Sequence, residues 1–194
     1  MKSVLPTNTF ILTAAMLLPV LSSANEHNPH VHGAAKLQVA IEGTTATVML
    51  ESPMESLVGF EYAPGNEAEK AALAKLVAAL EKPDTLFVFS PAAGCTSSST
   101  KLESPLIVDE THKDKSEHEE KHAHEHKEHD DKQEKHSDLD GEFVFTCKAA
   151  EQLKGLTVNL FDVAANLQDL DVEVAGPDKQ TAAELSSKTR SMNW

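Results

Sequence analysis

The sequence predicts an α+β domain: an antiparallel-rich β-sheet with one main amphipathic helix packed on it, interrupted by a disordered His-rich insertion. Three observations carry this. Apolar residues alternate with period 2 in several segments, one segment has helical period with a cap at its start, and residues 110–139 almost lack apolar side chains. With 194 residues the chain makes one domain.

The elements follow in chain order. Leu37, Val39 and Ile41 face one way while Lys36, Gln38 and Glu42 face the other, and the pattern resumes after Gly43 and Thr44 with Ala46, Val48 and Leu50. Glycine first in a two-residue loop suits a type II′ turn, so these strands form an antiparallel hairpin. A helix begins at Asn66, with Glu69 three residues on as its capping partner. It carries Leu73, Leu76, Val77 and Leu80 at helical spacing and ends before Pro83, with Glu67, Lys70, Lys75 and Glu81 on its polar face. Further strands are expected over 85–90, 142–147, 156–161 and 170–175, about six in all. Short helical turns fit 149–153 and 181–185.

Residues 1–24 read as a secretory signal peptide and stand outside the fold. Lys2 supplies the positive start, residues 10–21 the apolar run, and Ser22 and Ala24 the small side chains before a cut. That run is shorter than the roughly 20 residues a membrane helix needs, so the chain from Asn25 onward is expected to be exported, with no membrane insertion after cleavage. The folded domain is then 25–109 together with 140–194.

The formal charge is −14, from 31 acidic and 17 basic residues, and becomes −15 when Lys2 is removed. Such a chain repels phosphate backbones, which excludes nucleic acid as a partner, and attracts metal cations. Two cysteines in an oxidising compartment imply one disulfide, Cys95 to Cys147. Closing a loop of this length removes roughly 4 kcal/mol of unfolded-chain entropy.

Histidine is where the chemistry lies. His30 and His32, with His27 nearby, precede the first strand, and Pro29 favours an extended backbone there. In that geometry the two imidazoles share a face about 7 Å apart at Cα and can converge on one ion. The insertion carries seven more: His112, His118, His122, His124, His126, His129 and His136. Its only apolar side chain is Ala123 before Leu139, so it cannot offset the entropy of being ordered. The spacings include i+2, i+3 and i+4, so some pair can chelate on any backbone. His118 to His122 matches the His-Glu-x-x-His pattern of zinc peptidases, but this composition produces such a match by chance about 0.4 times. The stretch also lacks the apolar face a catalytic helix needs, and no nucleophile or phosphate-loop motif occurs elsewhere, so an enzyme is not expected.

In combination, certain segments resemble a known family. They are His30 to Gly33 leading into Ala34, Ala35 and Leu37; Glu51, Ser52 and Pro53; Val58 to Pro64; and Asn159 to Phe161 with Leu170 to Val174. The chain is similar to the zinc-regulated periplasmic zinc-binding proteins of the ZrgA type over nearly all of its length after the leader. The resemblance implies a Gram-negative periplasmic protein made under zinc scarcity, binding Zn2+ and assisting its acquisition beside a zinc ABC importer. Where the family pattern has a His after the Glu of its Gly-Phe-Glu motif, this chain has Tyr62, and the resemblance carries over Glu61 as a ligand. Two other readings stand beside it. One is a buffer or resistance protein for Ni or Cu(II), since imidazole sites do not exclude those ions. The other is a structural envelope protein with an incidental His tract.

Overall fold

A computed structural model describes residues 31–107, 137–177 and 179–194. The expected signal peptide, His27, His30 and the seven histidines of the insertion lie outside these residues.

Among the described residues nine strands form two sheets. The larger has the order β4-β5-β2-β1-β7-β8, from Cys95–Glu103, Asp138–Cys147, Thr45–Pro53, Ala34–Glu42, Asp169–Ala175 and Gln180–Ser186. Every neighbouring pair is antiparallel except β1 with β7, which run parallel with Ala34 opposite Asp169. The smaller sheet, β3-β6-β9, uses Phe87–Phe89, Gly155–Val158 and Ser191–Asn193. The antiparallel-rich α+β architecture is as the alternation predicts.

The β1–β2 hairpin turns at Gly43 and Thr44, with Glu42 opposite Thr45. Gly43 has φ +57° and, among the described residues, no non-glycine residue has positive φ, so Thr44 does not, which is the pattern of a type II′ turn. Alternation then decides which way each strand faces. Leu37 and Val39 of β1, Val48 and Leu50 of β2, Phe143 and Phe145 of β5, and Leu170 and Val172 of β7 all enter one core. Across it, β3 stacks Phe87 on Phe143 and Phe89 on Phe145, with ring centroids 5.0 and 5.1 Å apart. Three helices complete this second layer: α1 (Met54–Val58), α2 (Glu67–Leu80) and α3 (Pro83–Leu86). The Asn66 side chain caps α2 by accepting from Glu69 N at 2.9 Å, and Leu76 and Leu80 are its buried residues.

The outward face of the large sheet is polar. Strand register aligns Glu103, Asp140, Glu51, Lys36, Asp171 and Glu184 in one row across all six strands. Partial burial, then the charges of Asp138 and Glu103, hold the Asp140 carboxyl above its usual range.

Several elements depart from the sequence reading. The segment 85–90 divides into α3 and β3, so Pro83 starts a second short helix rather than merely ending the first; its fixed φ suits a first helical position. Segment 156–161 stops pairing at Val158 and turns into a 3₁₀ turn over Leu160–Asp162. The strand expected to begin at 142 begins at Asp138 and buries Leu139 completely, so residues 137–139 belong to the folded part. Residues 181–185 are not a helical turn but the centre of β8, because pairing with β7 outweighs the helix propensity of Ala182 and Ala183. The turn near 149–153 is present as a 3₁₀ turn over Ala150–Gln152. Strand β4, rich in Ser and Thr, and the short β9 give no alternating apolar signal. No helix of the described residues is long and apolar enough to cross a membrane.

Candidate metal centre

His32 does not lie on an extended strand, as the sequence suggests, but in the turn that feeds β1. Ala34 N donates to Val31 O at 3.1 Å, and Gly33 in third position has φ +85°, so residues 31–34 form a type II turn with His32 at its second position. Gly33 makes this possible, and a Cβ on it would lie 3.2 Å from Gln168 Nε2. The turn is tied on two sides. Gly33 N donates to the buried Ser56 Oγ of α1 at 2.9 Å, and Ser56 Oγ donates on to Ala34 O at 3.1 Å. Gln168 N and Asp169 N, at the start of β7, both donate to Gly33 O, at 2.8 and 3.1 Å.

Two carboxylates flank the imidazole. Glu55 comes from the first turn of α1, and Glu61 follows Gly59, whose left-handed conformation (φ +88°) closes that helix with its N–H on Glu55 O. Phe60, buried between them, anchors the segment. His32 Nε2 lies 3.3 Å from Glu61 Oε1, and Nδ1 lies 3.9 Å from Glu55 Oε2. The imidazole is 55% exposed while the side chains of Glu61 and Glu55 are 14% and 22% exposed, so the acids form the floor and the ring the mouth of the site.

Imidazole nitrogen beside carboxylate oxygen is a donor set suited to zinc. Among the described residues no three His, Cys, Asp or Glu side chains converge on one point to hold a metal ion. The ring explains this: its two nitrogens diverge, one toward each carboxylate, so His32, Glu55 and Glu61 do not converge on one point.

Tyr62 leaves the site: it is exposed, and its hydroxyl donates to Glu69 Oε1 at 3.1 Å, a bond that with the Glu69 charge raises the phenol above its ordinary range. Cys95 and Cys147 are disulfide-bonded as directly opposed residues of β4 and β5. They lie at the end of the sheet away from the His32 turn, beside the hairpin, where Cys147 N donates to Thr44 O. Glu55 was not among the candidate ligands of the sequence. Its only local signal is an acidic residue in the first turn of a short helix after Pro53, common wherever a helix begins.

Comparison with family models decides the identity. The model described as ZrgA family zinc uptake protein matches residues 29–194. The chain belongs to the ZrgA family. Comparison with curated proteins finds no match. The match begins at Pro29, ahead of the His32 turn, and so spans both sheets and the candidate site.

Proposed function

We propose that this ZrgA family member is an exported, periplasmic, non-catalytic protein that captures Zn2+ and passes it toward a zinc ABC importer. The single observation that carries this is the His32–Glu61 pair at 3.3 Å on a turn pinned from two sides, in a chain of a zinc uptake family. In this reading residues 1–24 are the signal peptide, and His32 and Glu61 are two ligands of the tight site. His30 supplies a third; it is two residues upstream, within about 7 Å of chain reach. His27 assists. His112, His118, His122, His124, His126, His129 and His136 bind further ions weakly in the His-rich insertion, since each ion must offset the entropy of the chain it wraps. The folded domain is one unit on either side of that insertion.

Zinc titration against a chromophoric chelator tests the division. Three chains are compared: wild type, one lacking 110–136, and His30→Ala with His32→Ala. The deletion stops at 136 because Leu139 is core. Expected is loss of the weak sites and retention of the tight one in the deletion, and the reverse in the double mutant. Disappearance of the tight site from the deletion would transfer the ligand set to the tract and refute the reading. Repeating the titration with Ni2+ and Cu2+ separates zinc capture from general metal buffering.

A further inference from the structure

Glu55 is held firmly by one carboxylate oxygen and left open at the other. Asn166 Nδ2 donates to Oε1 at 2.6 Å and also lies 3.4 Å from the Glu55 backbone oxygen. Asn166 is itself fixed, because its N–H donates to Ser56 O at 3.1 Å while that of Ala165 donates to Leu57 O at 2.8 Å. Glu55 Oε2 is buried and accepts no hydrogen bond from the described residues. Leaving such an oxygen unbonded costs free energy, so its place opposite His32 Nδ1, at 3.9 Å, calls for a reason. That distance is longer than a hydrogen bond, so the acceptor is in position with the bond unmade.

A histidine that gives one nitrogen to a metal carries its proton on the other, and the partner of that proton sets the ring's orientation and basicity. Nε2 faces Glu61 and Nδ1 faces Glu55. We infer that Glu55 is a positioning residue of the zinc site, accepting the Nδ1 proton of His32 when Nε2 binds Zn2+, and that Asn166 orients Glu55 for this role. The inference rests on His32 being a ligand. A direct ligand role for Glu55 on the same ion does not fit, because its free oxygen stands at the nitrogen turned away from Glu61.

The test uses the full chain after signal cleavage, with Zn2+ and Co2+ as probes. Glu55→Gln keeps the shape and an oxygen for Asn166 but removes the charge, and Asn166→Ala removes the support. Both are expected to weaken the tight site about 10- to 100-fold, with unchanged stoichiometry and unchanged Co2+ absorption maxima, since the ligands stay the same. In the Co2+ form the hyperfine-shifted, solvent-exchangeable Nδ1 proton of His32 is expected to be visible in wild type and to exchange faster in both variants. A merely structural role would lower the thermal midpoint without touching that signal. Affinity within twofold of wild type in Glu55→Gln overturns the inference, and so does a shifted cobalt band, which would make Glu55 a ligand. His32→Ala is the control: if it binds as wild type does, the site reading fails, and that result is distinct from either outcome at Glu55.

Discussion

Two polar clusters lie within a few residues of each other in the segment from α1 to α2, and they differ in how completely their hydrogen bonds are made. Around Glu69 everything is closed. One carboxylate oxygen accepts from Tyr62 Oη, the other from Gly65 N at 2.7 Å, and Glu69 N donates to Asn66 Oδ1. Those bonds, the Gly65 one foremost, hold the Glu69 carboxyl below its usual range. Around His32 the cluster is open: a buried Glu55 oxygen accepts nothing from the described residues, and the two ring nitrogens face two carboxylates. A closed cluster has spent its polar groups on the fold. An open one, held by rigid backbone, keeps donor atoms for a guest.

His32→Ala should break the open cluster most severely. Tight zinc affinity is expected to fall by more than the roughly 10- to 100-fold that a supporting partner costs, while the thermal midpoint hardly moves, because the ring is half exposed. Chelator competition and a melting curve of the metal-free protein check both halves. Cys95→Ser shows the converse. Losing about 4 kcal/mol of restraint should lower the midpoint by roughly 10 °C, with tight zinc stoichiometry unchanged at a temperature where the mutant is folded. Loss of the zinc would mean the two ends of the sheet are coupled.

Gly33→Ala addresses the rigidity of the open cluster. A residue at φ +85° with a Cβ 3.2 Å from Gln168 Nε2 should cost about 1–2 kcal/mol and, by displacing His32, weaken zinc several-fold. Unaltered affinity would show that the turn does not position the ligand. Tyr62→Phe removes a bond only from the closed cluster, so its zinc isotherm should overlay that of wild type. The smallest effect concerns acid. The unfolded Glu69 carboxyl takes up a proton at higher pH than the folded one. The stability it contributes is therefore full above the unfolded value of about 4.3 and lost as pH falls through the lower folded value. The midpoint difference between wild type and Glu69→Gln should accordingly shrink on acidification, which melts across that range would show.

Local pattern alone specifies the β1–β2 hairpin, the capped helix α2 and β7, because each of these signals is complete within one segment: Gly43 between alternating runs, Asn66 with Glu69, and Leu170, Val172 and Val174 facing one way. The pairing of the two cysteines and the family resemblance were equally legible, and Glu61 came with the Gly-Phe-Glu motif, whereas the extended backbone expected at His32 gave way to a turn. Pairing over long distances was not. The Ser- and Thr-rich β4 becomes a strand because β5 offers it hydrogen bonds, and β8 is drawn from a helical turn into the sheet by β7. The parallel alignment of β1 with β7 matters most for the candidate site. It sets Gln168 and Asp169 against Gly33, with Ala165 and Asn166 against α1, and so makes Glu55 part of the His32 site across a separation of 111 residues from Asn166. Residue types could name a histidine and a carboxylate as candidate zinc donors from the sequence by itself. Which carboxylate faces which nitrogen depends on backbone hydrogen bonds between remote segments, and only the tertiary structure decides that.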